Sequence, residues 1–259
     1  MAIAYRTSNL VSAGSQSGTS QALNVPIGSS VQGGDALIVV VGVNDNKVNY
    51  QIVPPGGVTL LDTIESGSSY ANVYFRTAAS GDASTNLTFS LEALAGGTGA
   101  RCLGGIIAMS GALLSVHSGM GFASSTATHA TPSMTPASYP AHAVIACVKK
   151  SSSLTTITSP AGYTQRQNTV QTGGGNLGLV IAEKAIASGA TDGGAFVANA
   201  ASAAAETFTV TLVETPPPAA GAVPMQRSGG AWGAGTINKR GGGTWTATSV
   251  KLRSGGAWL

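Results

Sequence analysis

The most constraining feature of the chain is a repeat near its end with the form R-x-G-G-x-W. It occurs three times, at residues 227–232, 240–245 and 253–258, and its tryptophans follow one another at steps of 13 residues. All three tryptophans of the protein belong to it. A fixed period indicates repeated structural units. Thirteen residues are too few for a helical repeat and suit one β-hairpin per unit.

The Gly-Gly pair of each repeat suits a two-residue hairpin turn, because both central residues of a type I′ turn need positive φ. Counting outward from the turn places each arginine opposite the tryptophan of its own repeat, which suits a cation–π contact worth roughly 0.5–1 kcal/mol. An isolated hairpin is only marginally stable. We therefore predict an assembly element whose interface residues are Arg227, Trp232, Arg240, Trp245, Arg253 and Trp258.

The composition favours an all-β protein that packs against other protein molecules in an assembly. Of the 259 residues, 43% are apolar and only 9% are charged, against about a quarter in ordinary domains. With 36 glycines, the composition predicts many short strands and turns. The segment 222–259 holds five basic and no acidic residues, which leaves eight of the 13 basic residues beside all ten acidic ones, a net charge of −2 for the rest.

Strand patterns divide the chain into a body and a tail. Residues 36–43 form a continuous apolar run that predicts a strand buried on both faces, and residues 70–77 alternate. We predict a jelly-roll-like β-sandwich over residues 1–214. A Pro-rich linker at 215–221 and a tail of three short β-hairpins at 222–259 complete the chain. Successive prolines from Pro216 cannot join a strand ladder, which sets the boundary.

The body shows an internal pseudo-repeat, with halves at about 35–112 and 142–214. Residues 143–148 correspond to 36–41, and 207–212 correspond to 87–91. Residues 119–140, rich in Ser, Thr, Ala and Pro, are expected to form an extended connection. Strands of each half could complete the sheets of the other in one sandwich. The alternative is two small sandwiches fused side by side.

The residue types needed for catalysis or metal binding do not cluster in the sequence. His117, His129 and His142 lack the closely spaced partners of a zinc site. Cys102 and Cys147 lie in apolar runs, which favours buried thiols, although a disulfide between them stays open. We expect no enzymatic activity, no cofactor, no metal and no membrane span.

Four tyrosines and the basic tail are the remaining candidates for ligand binding. Tyr50, Tyr70, Tyr139 and Tyr163 could stack on sugars as in a carbohydrate-binding module, and ordinary strand packing is the alternative. Basic residues interleaved with tryptophan could also bind single-stranded nucleic acid. We expect no nucleic-acid binding, because each arginine has its own tryptophan or an acidic neighbouring subunit as partner.

Several stretches resemble known virion proteins. The sequences DALIVVV at 35–41, PPGGVT at 54–59, VYFRTAASG at 73–81 and IIAMSG at 106–111 resemble β-sandwich domains of phage virion proteins. The R-x-G-G-x-W repeats resemble the C-terminal hairpins of minor tail proteins from tailed phages of actinobacteria. Where such domains often have Pro-x-Gly-Trp, this chain has Val58 and Tyr163.

The resemblance implies a structural protein that is made in the host cytoplasm and located in the virion, most specifically a minor tail protein at the tail tip. It also implies contact with a host receptor in some members. The partners expected for this chain are other virion proteins bound through residues 222–259 and, from the two apolar faces of its hairpins, further copies of itself, with a trimer favoured. A host cell-surface glycan is a candidate partner for the tyrosines. A capsid decoration or head-fibre protein is the alternative.

Overall fold

The computed structural model describes residues 2–14, 19–94, 99–123, 126–173, 175–191, 193–202 and 204–216, and six short strands between 227 and 258. Every regular element in them is a β-strand, so the all-β prediction is confirmed. The first eight strands are β1 (Ala4–Ala13), β2 (Ser20–Pro26), β3 (Ala36–Val43), β4 (Tyr50–Val53), β5 (Thr59–Glu65), β6 (Tyr70–Thr77), β7 (Asn86–Ala93) and β8 (Cys102–Ser110). The next eight are β9 (Ala112–Phe122), β10 (Thr126–Ala130), β11 (Ala141–Ser151), β12 (Ile157–Thr158), β13 (Thr164–Gln171), β14 (Asn176–Ile186), β15 (Ala195–Ser202) and β16 (Ala204–Glu214).

These sixteen strands form two copies of one topology. The first eight make a five-stranded sheet in the order β1-β8-β3-β6-β5 and a three-stranded sheet in the order β2-β7-β4. The second eight make β9-β16-β11-β14-β13 and β10-β15-β12, which is the same order with every strand number raised by eight. The internal repeat therefore lies in the connectivity of the chain as well as in its sequence.

Strand pairing stays within each half of the body. The halves run from Ala4 to Ser110 and from Ala112 to Glu214, so they begin earlier than the predicted starts at about 35 and 142. Among the described strands no sheet combines strands of the two halves. The shared sheets on which the single jelly-roll prediction rested are thus not found, and each half completes its own pair of sheets.

Three hydrophobic layers separate four sheets. Strand β3 shows why, because its side chains alternate between two cores: Leu37, Val39 and Val41 face the three-stranded sheet of their own half. Ile38 and Val40 face the other way, toward the second half. The uniform burial predicted for 36–43 is confirmed, and its cause is a sheet covered on both sides.

The two five-stranded sheets pack face to face. Ile38, Val40 and Ile107 from the first half share a core with Val148 and Phe208 from the second. The second half repeats the arrangement, since Ile145 and Cys147 of β11 turn to its own three-stranded sheet. The order of layers is therefore three, five, five and three strands.

Two sequence-based assignments within the body were wrong. Residues 119–140 are not simply a connection, because β9 extends to Phe122 and β10 follows at Thr126–Ala130. Small polar residues fit strands at a sheet edge, and composition alone did not reveal them. Residues 207–212 belong to β16, the counterpart of β8, whereas 87–91 lie in β7, whose counterpart is β15.

The chain divides into two compact units, Met1–Thr215 and Pro216–Leu259. The described parts of the second unit are three two-stranded antiparallel sheets. Their strands are β17 (Arg227–Ser228), β18 (Ala231–Trp232), β19 (Ile237–Gly241), β20 (Thr244–Thr248), β21 (Arg253–Ser254) and β22 (Ala257–Trp258).

Candidate functional site

The six predicted interface residues of the tail all lie in its paired strands. Arg227 is directly opposite Trp232 in the β17–β18 pair. The same register recurs for Arg240 and Trp245 in β19–β20, and for Arg253 and Trp258 in β21–β22. The Gly-Gly turns and the linker residues 217–221 are outside the described residues.

The four candidate tyrosines occupy different environments. Tyr50 and Tyr70 are fully buried in the core of the first half, so neither offers a ring face on the surface for a sugar to stack on. Tyr163 is half-buried against the core of the second half, with the Lys184 ammonium 5.3 Å from its ring centre. Tyr139 is 40% exposed, and its hydroxyl donates to the Gly189 carbonyl. The structure does not bring the four together.

A cleft of about 230 Å³ opens in the first half beside β4 and β5. These are the end strands of the three-stranded and the five-stranded sheet, so the cleft lies where the two layers part. Its apolar walls are Ile52, Leu60 and Leu94, of which Leu60 and Leu94 are about half exposed. Its polar lining comes from Lys47, Gln51, Thr63, Tyr70 and Asn72.

Tyr70 and Asn72 bring two buried polar atoms without partners to this cleft. The Asn72 amide nitrogen donates to the Tyr74 hydroxyl at 2.8 Å, which leaves its oxygen Oδ1 with no donor. The Tyr70 hydroxyl has no partner in hydrogen-bond geometry. Burial raises the pKa of Tyr70, and the nearby Ile52 backbone lowers it only in part. An unpaired buried polar atom costs about 1–3 kcal/mol, so both atoms favour a bound polar group.

A buried acid joins the two halves of the body. Glu206 of β16 is fully buried, and its Oε1 accepts hydrogen bonds from the hydroxyls of Ser66 and Ser69, the second at 2.7 Å. Both serines belong to the β5–β6 loop of the first half. Oε2 has no partner. Burial raises the pKa of Glu206 to about 7, although the two serines and the ammonium groups of Lys149 and Lys150 lower it in part.

Inside the second half, Lys149 and His129 form a buried cationic pair. The Lys149 ammonium donates to His129 Nε2 at 2.8 Å and to the Thr126 carbonyl at 3.2 Å. Burial and then the Lys149 charge lower the pKa of His129 to about 4, and burial lowers the pKa of Lys149. The imidazole is therefore neutral at pH 7, with its proton on Nδ1. It serves as an acceptor for the lysine.

The other reactive side chains are placed as structural groups. His117, His129 and His142 lie on three different strands, and the described residues contain no group of three or more His, Cys, Asp or Glu that could hold a metal ion. Cys102 and Cys147 are free and buried, and burial raises the pKa of both thiols. Within the described part of the chain, no helix is long and apolar enough to cross a bilayer.

Sequence reasoning missed Asn72, His129, Lys149 and Glu206. A signal did exist for two of them: Lys149 ends an apolar strand run, and Glu206 interrupts a run, 204–213, made otherwise of Ala, Thr and apolar residues. A charge inside such a strand indicates a buried polar partner. The partners themselves could not be inferred, because Ser66 and Ser69 are 140 and 137 residues away from Glu206 in sequence.

Comparison with known proteins finds no match among protein-family models, curated proteins or solved structures.

Proposed function

We propose that the chain is a non-enzymatic structural protein of a phage virion, most specifically a minor tail protein that the segment 222–259 attaches to its neighbours. The observation that carries the proposal is the repeated register of the tail: three strand pairs, each with an arginine directly opposite a tryptophan. Tryptophan and arginine are the residue types most enriched at interface hot spots.

The energetics of short hairpins support an attachment role. Two-stranded hairpins are marginally stable in water, and roughly 0.5–1 kcal/mol from each Arg–Trp pair does not change that. Three such units at a constant step suit a partner surface that itself repeats, as in a symmetric assembly. The tail is also a separate compact unit from the body, so the body need not unfold for the tail to engage a partner.

The body suits a scaffold better than an enzyme. Its sixteen strands bury their apolar faces in three layers, and the buried acids Asp35 and Glu183 are paired with arginines of their own half. A capsid decoration or head-fibre protein would use the same architecture and the same attachment, and it is the alternative. Labelling of the protein on intact particles separates the two, because a tail protein lies at the tail and a decoration protein covers the head.

Replacing Trp232, Trp245 and Trp258 together with alanine is expected to abolish assembly through the tail. Each anchor tryptophan at an interface contributes about 2 kcal/mol or more, which is about 30-fold in affinity. We expect the full chain to have the mass of a trimer or larger assembly by light scattering and the triple variant that of a monomer. Residues 1–215 alone are expected to match the variant.

Incorporation into particles provides the decisive measurement. The triple variant should retain the melting temperature of the body and be absent from purified virions. Tyr139→Phe, which removes one exposed hydroxyl from the body, serves as the control and should be incorporated normally. Incorporation of the triple variant at the wild-type level would contradict the attachment role of the tail. If the wild-type chain is itself a monomer but still enters particles, a different virion protein completes the tail.

A further inference from the structure

The cleft beside β4 and β5 is specific to one of two topologically equivalent halves. On β6, the face toward the three-stranded sheet carries Tyr70 and Asn72. On its counterpart β14, the same face carries Gly178, Val180 and Ala182. A side chain at Gly178 would collide with Ile157 and Leu154, so apolar groups already fill that space. The fold therefore does not require the polar pair found in the first half.

We propose that this cleft binds one neutral sugar unit, with a ligand hydroxyl placed between Tyr70 and Asn72. The Tyr70 hydroxyl can donate a hydrogen bond, whereas Asn72 Oδ1 can only accept one. A single hydroxyl group accepts from the first and donates to the second. Both side chains are more than nine-tenths buried, both residues line the cleft, and each carries one unpaired polar atom.

The remainder of the cleft fits the rest of such a ligand. A volume of about 230 Å³ lies below the usual range for drug-sized ligands and suits one six-membered ring. Ile52, Leu60 and Leu94 provide the apolar wall that the C–H face of a sugar ring requires. Lys47 and Gln51 supply further hydrogen-bonding groups around it. The Tyr70–Asn72 pair is uncharged, which favours a neutral ligand over an ionic one.

This site uses hydrogen bonds instead of ring stacking, which distinguishes it from the surface tyrosine platform that the sequence predicts. It lies in the first half of the body and contains no tail residue, so it is independent of the proposed attachment. The two proposals can fail separately.

Ligand-observed NMR of the full chain with methyl glycosides of glucose, galactose, mannose, rhamnose and N-acetylglucosamine tests the proposal. We expect at least one glycoside to bind with a Kd in the millimolar range. Tyr70→Phe is expected to weaken that binding at least about tenfold, the effect of one lost hydrogen bond. Tyr5→Phe removes a hydroxyl from β1, outside the cleft, and should bind within about twofold of wild type.

Tyr70→Phe should fold normally, because the hydroxyl that it removes makes no hydrogen bond of good geometry and has only the Ile52 backbone beside it. Its melting temperature should stay close to that of wild type. Leu94→Ser provides a second variant at an exposed wall position and is expected to weaken binding severalfold. Absence of saturation transfer from every glycoside at about 50 mM overturns the proposal, as does wild-type affinity in Tyr70→Phe.

Discussion

Replacing Gly42 with alanine is expected to destabilise the body by about 1–3 kcal/mol, whereas Gly56→Ala leaves its stability nearly unchanged. Gly42 lies on β3 in the layer between the two five-stranded sheets. A Cβ atom there would be 2.5 Å from Cγ1 and 2.9 Å from Cγ2 of Val148. Valine is β-branched and cannot rotate away without losing its own packing. A Cβ atom at Gly56 meets nothing within 4 Å.

Urea unfolding of the two variants measures the difference, with the midpoint falling for Gly42→Ala at an unchanged slope. The cause can be isolated by the double variant Gly42→Ala/Val148→Ala, in which the valine methyl groups that cause the collision are absent. The double variant should lose less unfolding free energy than the two single variants lose together, by about 1 kcal/mol or more. Equal midpoints for Gly42→Ala and Gly56→Ala would show that β3 and β11 do not face each other.

The sequence predicts the fold best where hydrophobic runs are long. The run 36–43 is buried on both faces as expected, because no polar residue interrupts it. Prediction failed for β9 and β10, whose Ser, Thr, Gly and His residues carry no hydrophobic period. Gly119 and Gly121 of β9 lie against Ile64 of β5, so the strand is specified by close contact with a partner distant in sequence.

The pairing of the strands was harder to predict from the sequence than their positions. Both sheets of each half bring together strands that are far apart along the chain, such as β3 with β8 and β2 with β7. Short-range patterns do not choose between pairing within a half and pairing between halves. Whether strands pair within a half or between halves depends on which strand faces are apolar. Strands β3 and β11 are largely apolar on both faces, so the pattern does not decide between the two.

The strand register of the tail could be derived from the sequence, whereas the interface role of its residues stays a prediction. The tail registers depend on a local Gly-Gly count, and each arginine is opposite the tryptophan of its own repeat, as that count implies. The tyrosine prediction needed the face of each strand and the depth of each position. Tyr70 illustrates the difficulty, because it is a core residue. Its hydroxyl is a candidate binding group only because Asn72 and the cleft lie next to it.

Glu206→Gln is expected to make the body more stable than wild type above pH 7, with an advantage that shrinks as the pH falls. The pKa of Glu206 is about 7 in the folded chain, against about 4.5 when unfolded. Between these values the folded state keeps a proton that the unfolded state has lost. Stability therefore falls as the pH rises from 4.5 to 7, by on the order of 3 kcal/mol. A glutamine at this position remains neutral and still accepts from Ser66 and Ser69.

His129 has the opposite dependence. Its pKa is about 4 in the folded chain and 6.5 when unfolded, so the unfolded state takes up a proton first as the pH falls. Stability from this group is lost as the pH drops from 6.5 to 4. Between pH 4.5 and pH 6.5 the two groups change the unfolding free energy in opposite directions: the contribution of His129 rises with pH and that of Glu206 falls. The stability of Glu206→Gln should therefore rise with pH over this interval.

Urea unfolding at half-unit steps from pH 4 to pH 8 measures both effects. Glu92→Gln, which makes the same change of residue type on β7, is the control. A constant offset for Glu206→Gln would contradict a buried acid between the two halves. A growing advantage above pH 5 would instead show that burial between the two halves holds this carboxyl in its protonated form, so that the contact between the halves weakens when the proton is lost.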